Sequence, residues 1–166
     1  VHIFFLIKKI KPDIIHCHNY FPLLSLSFLL PASLYKIPVK IHFHNHKPSC
    51  PIGTHWYNGE CYDCLNNDKI LSILNKNCKR NKILSLIYGL INVIDFKIIN
   101  FYSKNTSIIV LSNHYRNLIK SKFKNRIEVF PNFICGEIKK IEIKKRNKII
   151  FVGRNNGSKG FEKFIE

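Results

Sequence analysis

Four short runs rich in β-branched and aromatic residues recur along the chain: IIHC at 14–17, VKIHF at 39–43, SIIVL at 107–111 and IEVF at 127–130. Stretches long enough for helices separate them. Two parallel strands need a crossover of a dozen or more residues, usually a helix, so this alternation predicts βαβ units. The expected fold is α/β, a Rossmann-like doubly wound parallel sheet with apolar strands covered on both faces. Ligands in such sheets gather at the carboxyl ends of the strands. There the chain places His16, His18 and Asn19 after one run and His44 after the next.

The intervening segments fit that plan. VHIFFLIKKI at 1–10 reads as the end of a helix, punctuated by Lys11, Pro12 and Asp13. FPLLSLSFLLPASLY at 21–35 predicts a buried helix, being shorter than the roughly 20 residues of a membrane span and holding Pro22, Pro31 and serines. A long loop to Asp68 follows the second run, and loops of that length are functional or held by something other than a core. Asn81 to about Ser103 reads as an apolar helix in which Lys82, Ser85, Gly89, Asn92 and Asp95 form a narrow polar stripe, its uncharged core from Ile83 to Ile94 too short for a span. Asn113 to Phe123 reads as a basic amphipathic helix.

After Cys135, CGEIKKIEIKKRN at 135–147 suits a linker. The pattern then restarts with KIIFVG as a strand, GRNNGSKG as a glycine-bracketed loop and FEKFIE as the first turns of a helix. Residues 1–136 are therefore expected to form one domain, and 137–166 a linker with the start of another. The chain begins at Val1 without Met, shows no small-residue cleavage site after its first apolar run, and stops within a young helix. It is expected to be an internal piece with no signal peptide.

A hydrophobic content of 46% with 13% aromatics excludes a disordered tail. The formal charge of +17 suits a polyanionic partner, but Lys, Ile and Asn crowd the whole chain as an AT-rich coding bias would place them. Six cysteines without a secretory signal fit a reducing compartment. Cys50, Cys61, Cys64 and Cys78 have the spacing C-x10-C-x2-C-x13-C, which can supply four thiolates to a structural zinc; free or disulfide-forming thiols are the alternative. His42, His44 and His46 are expected to share one strand face by the period of two. A histidine metal site is one use of them, a ligand pocket another. The loop with Gly153, Arg154 and Lys159 opens a helix, where backbone N–H groups hold phosphates, though it is neither a Walker loop nor a GxGxxG fingerprint.

Taken in order, PDIIHCHN at 12–19, IPVKIHFHNH at 37–46, CPIG with the later GECYDC, IIVLS at 108–112, RIEVFPNF at 126–133 and FVGRNNGSKG at 151–160 resemble a family 4 glycosyltransferase of the two-domain GT-B type. The resemblance implies a nucleotide-sugar donor, a glycan or lipid-linked acceptor, transfer with retention and no catalytic metal. By position, His44 resembles the family histidine that approaches the transferred sugar, and Arg154 and Lys159 the pair that grips the donor diphosphate; His16, His18 and Asn19 fall on the acceptor side. The family's first strand would precede Val1 and its E-x7-E carboxylates would follow Glu166, while Asn45 and Phe133 replace a common Asp and Gly. The role implied is building a cell-envelope or extracellular polysaccharide in the cytoplasm, in peripheral contact with an anionic membrane on its inner face. A basic zinc-containing nucleic-acid-binding module is the rival reading; it needs aromatics interleaved with basic residues on one surface, whereas these aromatics fall in apolar runs, so no nucleic acid is expected. An inactive gene fragment would share the fold.

Overall fold

The computed structural model describes residues 2–133, 135–136, 149–154 and 159–165. Four strands, β1 (Ile15–His18), β2 (Val39–Phe43), β3 (Thr106–Val110) and β4 (Ile127–Val129), form one all-parallel sheet in the order β1-β2-β3-β4. Among the described residues the order does not reverse. Helix α1 (His2–Ile10) precedes the sheet. A 3-10 turn at Leu26–Phe28 and α2 (Leu29–Leu34) cross from β1 to β2. Three helices, α3 (Asp63–Asn66), α4 (Lys69–Lys76) and α5 (Lys82–Phe101), lie between β2 and β3, and α6 (Asn113–Ile119) leads to β4. This is the Rossmann-like α/β architecture that the strand spacing predicts.

Register explains which side chains meet. Cys17, Ile41, Ile108 and Ile127 lie side by side across the four strands, and this row, with Val39, Phe43 and Val110, faces the core packed by Leu29, Ile99, Ile119 and Phe123. The alternate rows read His16, Lys40, Ser107 and then His18, His42, Ile109, Glu128. One face of the sheet is thus a hydrocarbon floor and the other is largely polar, because the runs alternate where a sheet buried on both sides would be apolar throughout. The polar face is covered at its centre, where His42 and Ile109 are 3% and 5% exposed, and open at the β1 edge, where His16 and His18 are exposed.

Several local expectations shift. β1 and β3 each start one residue away from the sequence estimate. The apolar stretch at 21–35 becomes a turn, a 3-10 segment capped by Ser25 and a short helix rather than one long helix. Pro22 and Pro31 account for the break, since proline removes a backbone donor and fixes φ. Helix α6 ends at Ile119, and residues 120–122 form a turn ahead of the buried Phe123. Ile149–Val152 is not a strand in the structure; Ile149, Ile150 and Val152 are exposed, while Phe151 packs on Phe161 and Phe164 of α7 (Phe161–Ile165). A lone strand has no ladder to join. The linker at 137–148 and the loop tip at 155–158 lie outside the described residues.

The largest departure is in α5. Its polar stripe faces inward: Ser85 is 0% and Asn92 3% exposed, while Ile83 is 71% exposed and Ile87, Leu90 and Ile94 also face out. By length and composition the 20-residue helix could cross a membrane, beyond the shorter core read from sequence. Its inward side belongs to the domain, however. Gly89 lets α4 approach so closely that an added Cβ would lie 3.0 Å from Ile73 Cγ2.

Candidate functional site

The inward polar side of α5 holds the loop that leaves β2. Asn92 Nδ2 donates to the Lys47 carbonyl (2.6 Å), and Lys69 Nζ donates to Asn92 Oδ1 (2.9 Å) and to the Pro48 carbonyl (3.1 Å). Lys47 itself is buried, its ammonium donating to the Pro51 carbonyl (2.7 Å) and lying 3.9 Å from the Phe21 ring centroid. Burial lowers its pKa to about 8, against the pull of Asp95 and Cys50. Asp95 in turn accepts from Tyr20 Oη at 2.8 Å. A loop whose carbonyls would otherwise be stranded is therefore satisfied by helix side chains, which is why the stripe turns inward.

On the polar face of the sheet, the two histidine clusters of the sequence become one. His44, just past β2, donates its backbone N–H to Asn19 Oδ1 (3.0 Å), and its Nε2 lies 2.7 Å from His18 Nδ1. Asn19 sits at φ 43°, a left-handed conformation that asparagine tolerates, so its side chain turns back across β2. His42 stacks against His44 at 4.2 Å between centroids and lies 4.9 Å from His18 and 5.6 Å from His16. The structure thus brings His16, His18, Asn19 and His44 together, with His42 beneath them. His46, expected on the same face, is not there; the chain turns after Asn45, and His46 packs on His55 and Tyr115 instead.

His42 is 3% exposed, and neither of its ring nitrogens has a hydrogen-bond partner. The Phe130 backbone comes near enough to favour the protonated ring, without hydrogen-bond geometry. Burial nevertheless lowers the His42 pKa to about 4, helped by the charges of His44, His18 and His16. His16 is also lowered, by burial and then by His18 and Lys40. The Lys40 ammonium is paired with Glu128 at 3.0 Å. Near neutral pH the site therefore presents a neutral buried imidazole under more exposed ones.

A second polar group lies behind the loop. Ser49 Oγ is 2.7 Å from His55 Nε2 and 3.0 Å from Tyr115 Oη. The pair has nucleophile and base spacing, but all three residues are buried, so it secures the loop rather than facing a substrate. Sequence reasoning missed it because Tyr115, on α6, reaches Ser49 only across the fold, and Ser49 and His55 meet only through the path of their loop.

Cys50, Cys61, Cys64 and Cys78 line one small cavity with Trp56, Ile73 and Lys76. All are free thiols, and Lys76 Nζ approaches Cys61 Sγ at 3.5 Å. Burial, then the neighbouring cysteines, pushes the Cys64 thiol up to about 12. Their sulfurs converge less tightly than the histidines: among the described residues, the group whose ligand atoms all lie within 4.8 Å of one another is His16, His18 and His42. Gly153, Arg154 and Lys159 are exposed.

The profile of Glycosyltransferase Family 4 matches residues 2–135. No match was found among curated proteins or among solved structures. The matched span covers the whole sheet and the histidine face, and the chain belongs to Glycosyltransferase Family 4.

Proposed function

We propose that this glycosyltransferase takes a sugar from a nucleotide-sugar donor and passes it, with retention, to a glycan or lipid-linked acceptor in polysaccharide assembly. Residues 1–136 form the acceptor-side domain in this reading, and 137–166 the linker and start of the donor-binding one. The observation that carries it is the joining of His44 to His18 and Asn19 at the strand ends of a family 4 domain. His44 faces the transferred sugar, His16, His18 and Asn19 hold the acceptor, and Gly153, Arg154 and Lys159 bind the diphosphate, offsetting the leaving group's charge without a catalytic metal. Positioning donor against acceptor can supply roughly 7–11 kcal/mol of a barrier. With Gly153, Arg154 and Lys159 exposed, the 166-residue chain by itself is expected to turn over no nucleotide sugar. Assay of nucleoside diphosphate release from UDP-, GDP- and ADP-sugars by the protein in its full reading frame tests the reading, with His44→Ala as the variant.

Two further parts belong to this proposal. The four cysteines close on one structural zinc, which must draw their sulfurs together around the cavity they line. Elemental analysis of protein purified under reducing conditions should find about one zinc per chain, lost in Cys61→Ser with Cys64→Ser; zinc-free folded protein contradicts it. The enzyme works in the cytoplasm, touching the inner membrane face through Arg116, Lys120, Lys122, Lys124 and Arg126, all exposed.

A further inference from the structure

We propose that His16, His18 and His42 form a binding site for one transition-metal dication of the zinc class, on the sheet face beside His44. Their ligand atoms already lie within 4.8 Å of one another. Three imidazole nitrogens about one ion at 2.0–2.1 Å would be roughly 3.4 Å apart, so closure shortens their separations by about 1.4 Å at most. The exposed rings of His16 and His18 are free to make this shift, and they leave a path for the ion from solvent. His42 supplies an independent observation: it is nine-tenths buried or more, and both its nitrogens lack a hydrogen-bond partner. A buried imidazole of this kind is a ligand without an occupation.

The donor set decides the class of ion. All three ligands are nitrogen, and the nearest carboxylate on this face, Glu128, is engaged by Lys40 and Arg126. Magnesium and calcium require oxygen ligands, whereas imidazole suits zinc, nickel, copper and cobalt. Lys40 opposes a cation here, but its pairing with Glu128 offsets that charge.

Occupancy would be felt by His44. If His18 coordinates through Nε2, its Nδ1 carries the proton and donates to His44 Nε2, the contact already present at 2.7 Å. The His44 Nε2 lone pair is then taken up. A bound ion therefore acts as a brake on whatever His44 does, while binding itself does not depend on sugar transfer.

The test is cobalt(II) titration of the reduced 166-residue chain, read by visible absorption. Thiolate ligands give a ligand-to-metal charge-transfer band and imidazoles do not, which separates the cysteine cavity from the histidine face. The proposal expects a class of one cobalt per chain with d–d absorption and no charge transfer, kept in Cys61→Ser with Cys64→Ser. Its affinity should fall by more than about tenfold in His16→Ala and in His18→Ala, the scale that even outer partners of a metal ligand carry. Both positions are exposed, so folding is checked by circular dichroism, and His114→Ala, an exposed histidine on α6, should change nothing. Absence of a nitrogen-only class, or its survival in both His16→Ala and His18→Ala, overturns the proposal.

Discussion

His42 illustrates what a single residue costs and gives in this fold. An unpaired buried polar group destabilises by roughly 1–3 kcal/mol, and here it lies directly under the candidate site. Its folded pKa of about 4 lies below the ordinary 6.5. As pH falls from about 6.5 to about 4, the unfolded chain takes up a proton that the folded chain refuses, so stability present above 6.5 is lost through that window. His55, also lowered to about 4, adds to the loss, and Asp95, raised by burial, opposes it toward the acid end. Urea unfolding at a series of pH values should show this decline, with a shallower slope in His42→Asn; an unchanged slope would mean that His42 titrates normally.

At the scale of elements, strand existence was legible because β-branched runs of four or five residues alternate with helix-length segments. Exact strand starts were not, since Ile14 and Ser107 look as strand-like as their neighbours and only pairing decides. The α5 stripe was legible as a pattern, but its direction was not: nothing in KILSLIYGLINVIDF says that Asn92 will be needed by the Lys47 carbonyl. The close approach of α4 makes Gly89 an element-level requirement. Gly89→Val should destabilise by about 1–3 kcal/mol through overpacking against Ile73, despite valine's better helix propensity, and thermal unfolding would show it. A neutral effect would mean that α4 and α5 can separate freely. Beyond α6, basic residues contribute roughly 1 kcal/mol each near an anionic surface. Cosedimentation with phosphatidylserine vesicles should therefore fade with salt and in Lys120→Glu with Lys122→Glu. Equal partitioning onto neutral vesicles at any salt would contradict a basic contact and point to the outward apolar side of α5.

For the whole molecule, the histidine face was half legible. His16, His18 and His44 stood out as polar residues at strand ends, and parallel pairing of β1 with β2 fuses them into one site. His42 and His46 were assigned one face by period alone, which holds for His42 and fails for His46 once the strand ends at Phe43. The four cysteines, paired by CxxC spacing in the sequence, line one cavity, but the Ser49, His55 and Tyr115 group had no sequence signal at all. The central claim is that this face, within a family 4 glycosyltransferase domain, carries sugar transfer through His44. The most direct measurement is the rate of nucleoside diphosphate release from a panel of nucleotide sugars by the protein in its full reading frame, comparing wild type with His44→Ala. The account predicts turnover of at least one donor and a loss on the order of 100-fold in the variant, the lower end of what a residue acting at the transition state contributes; equal rates for the two proteins would contradict it.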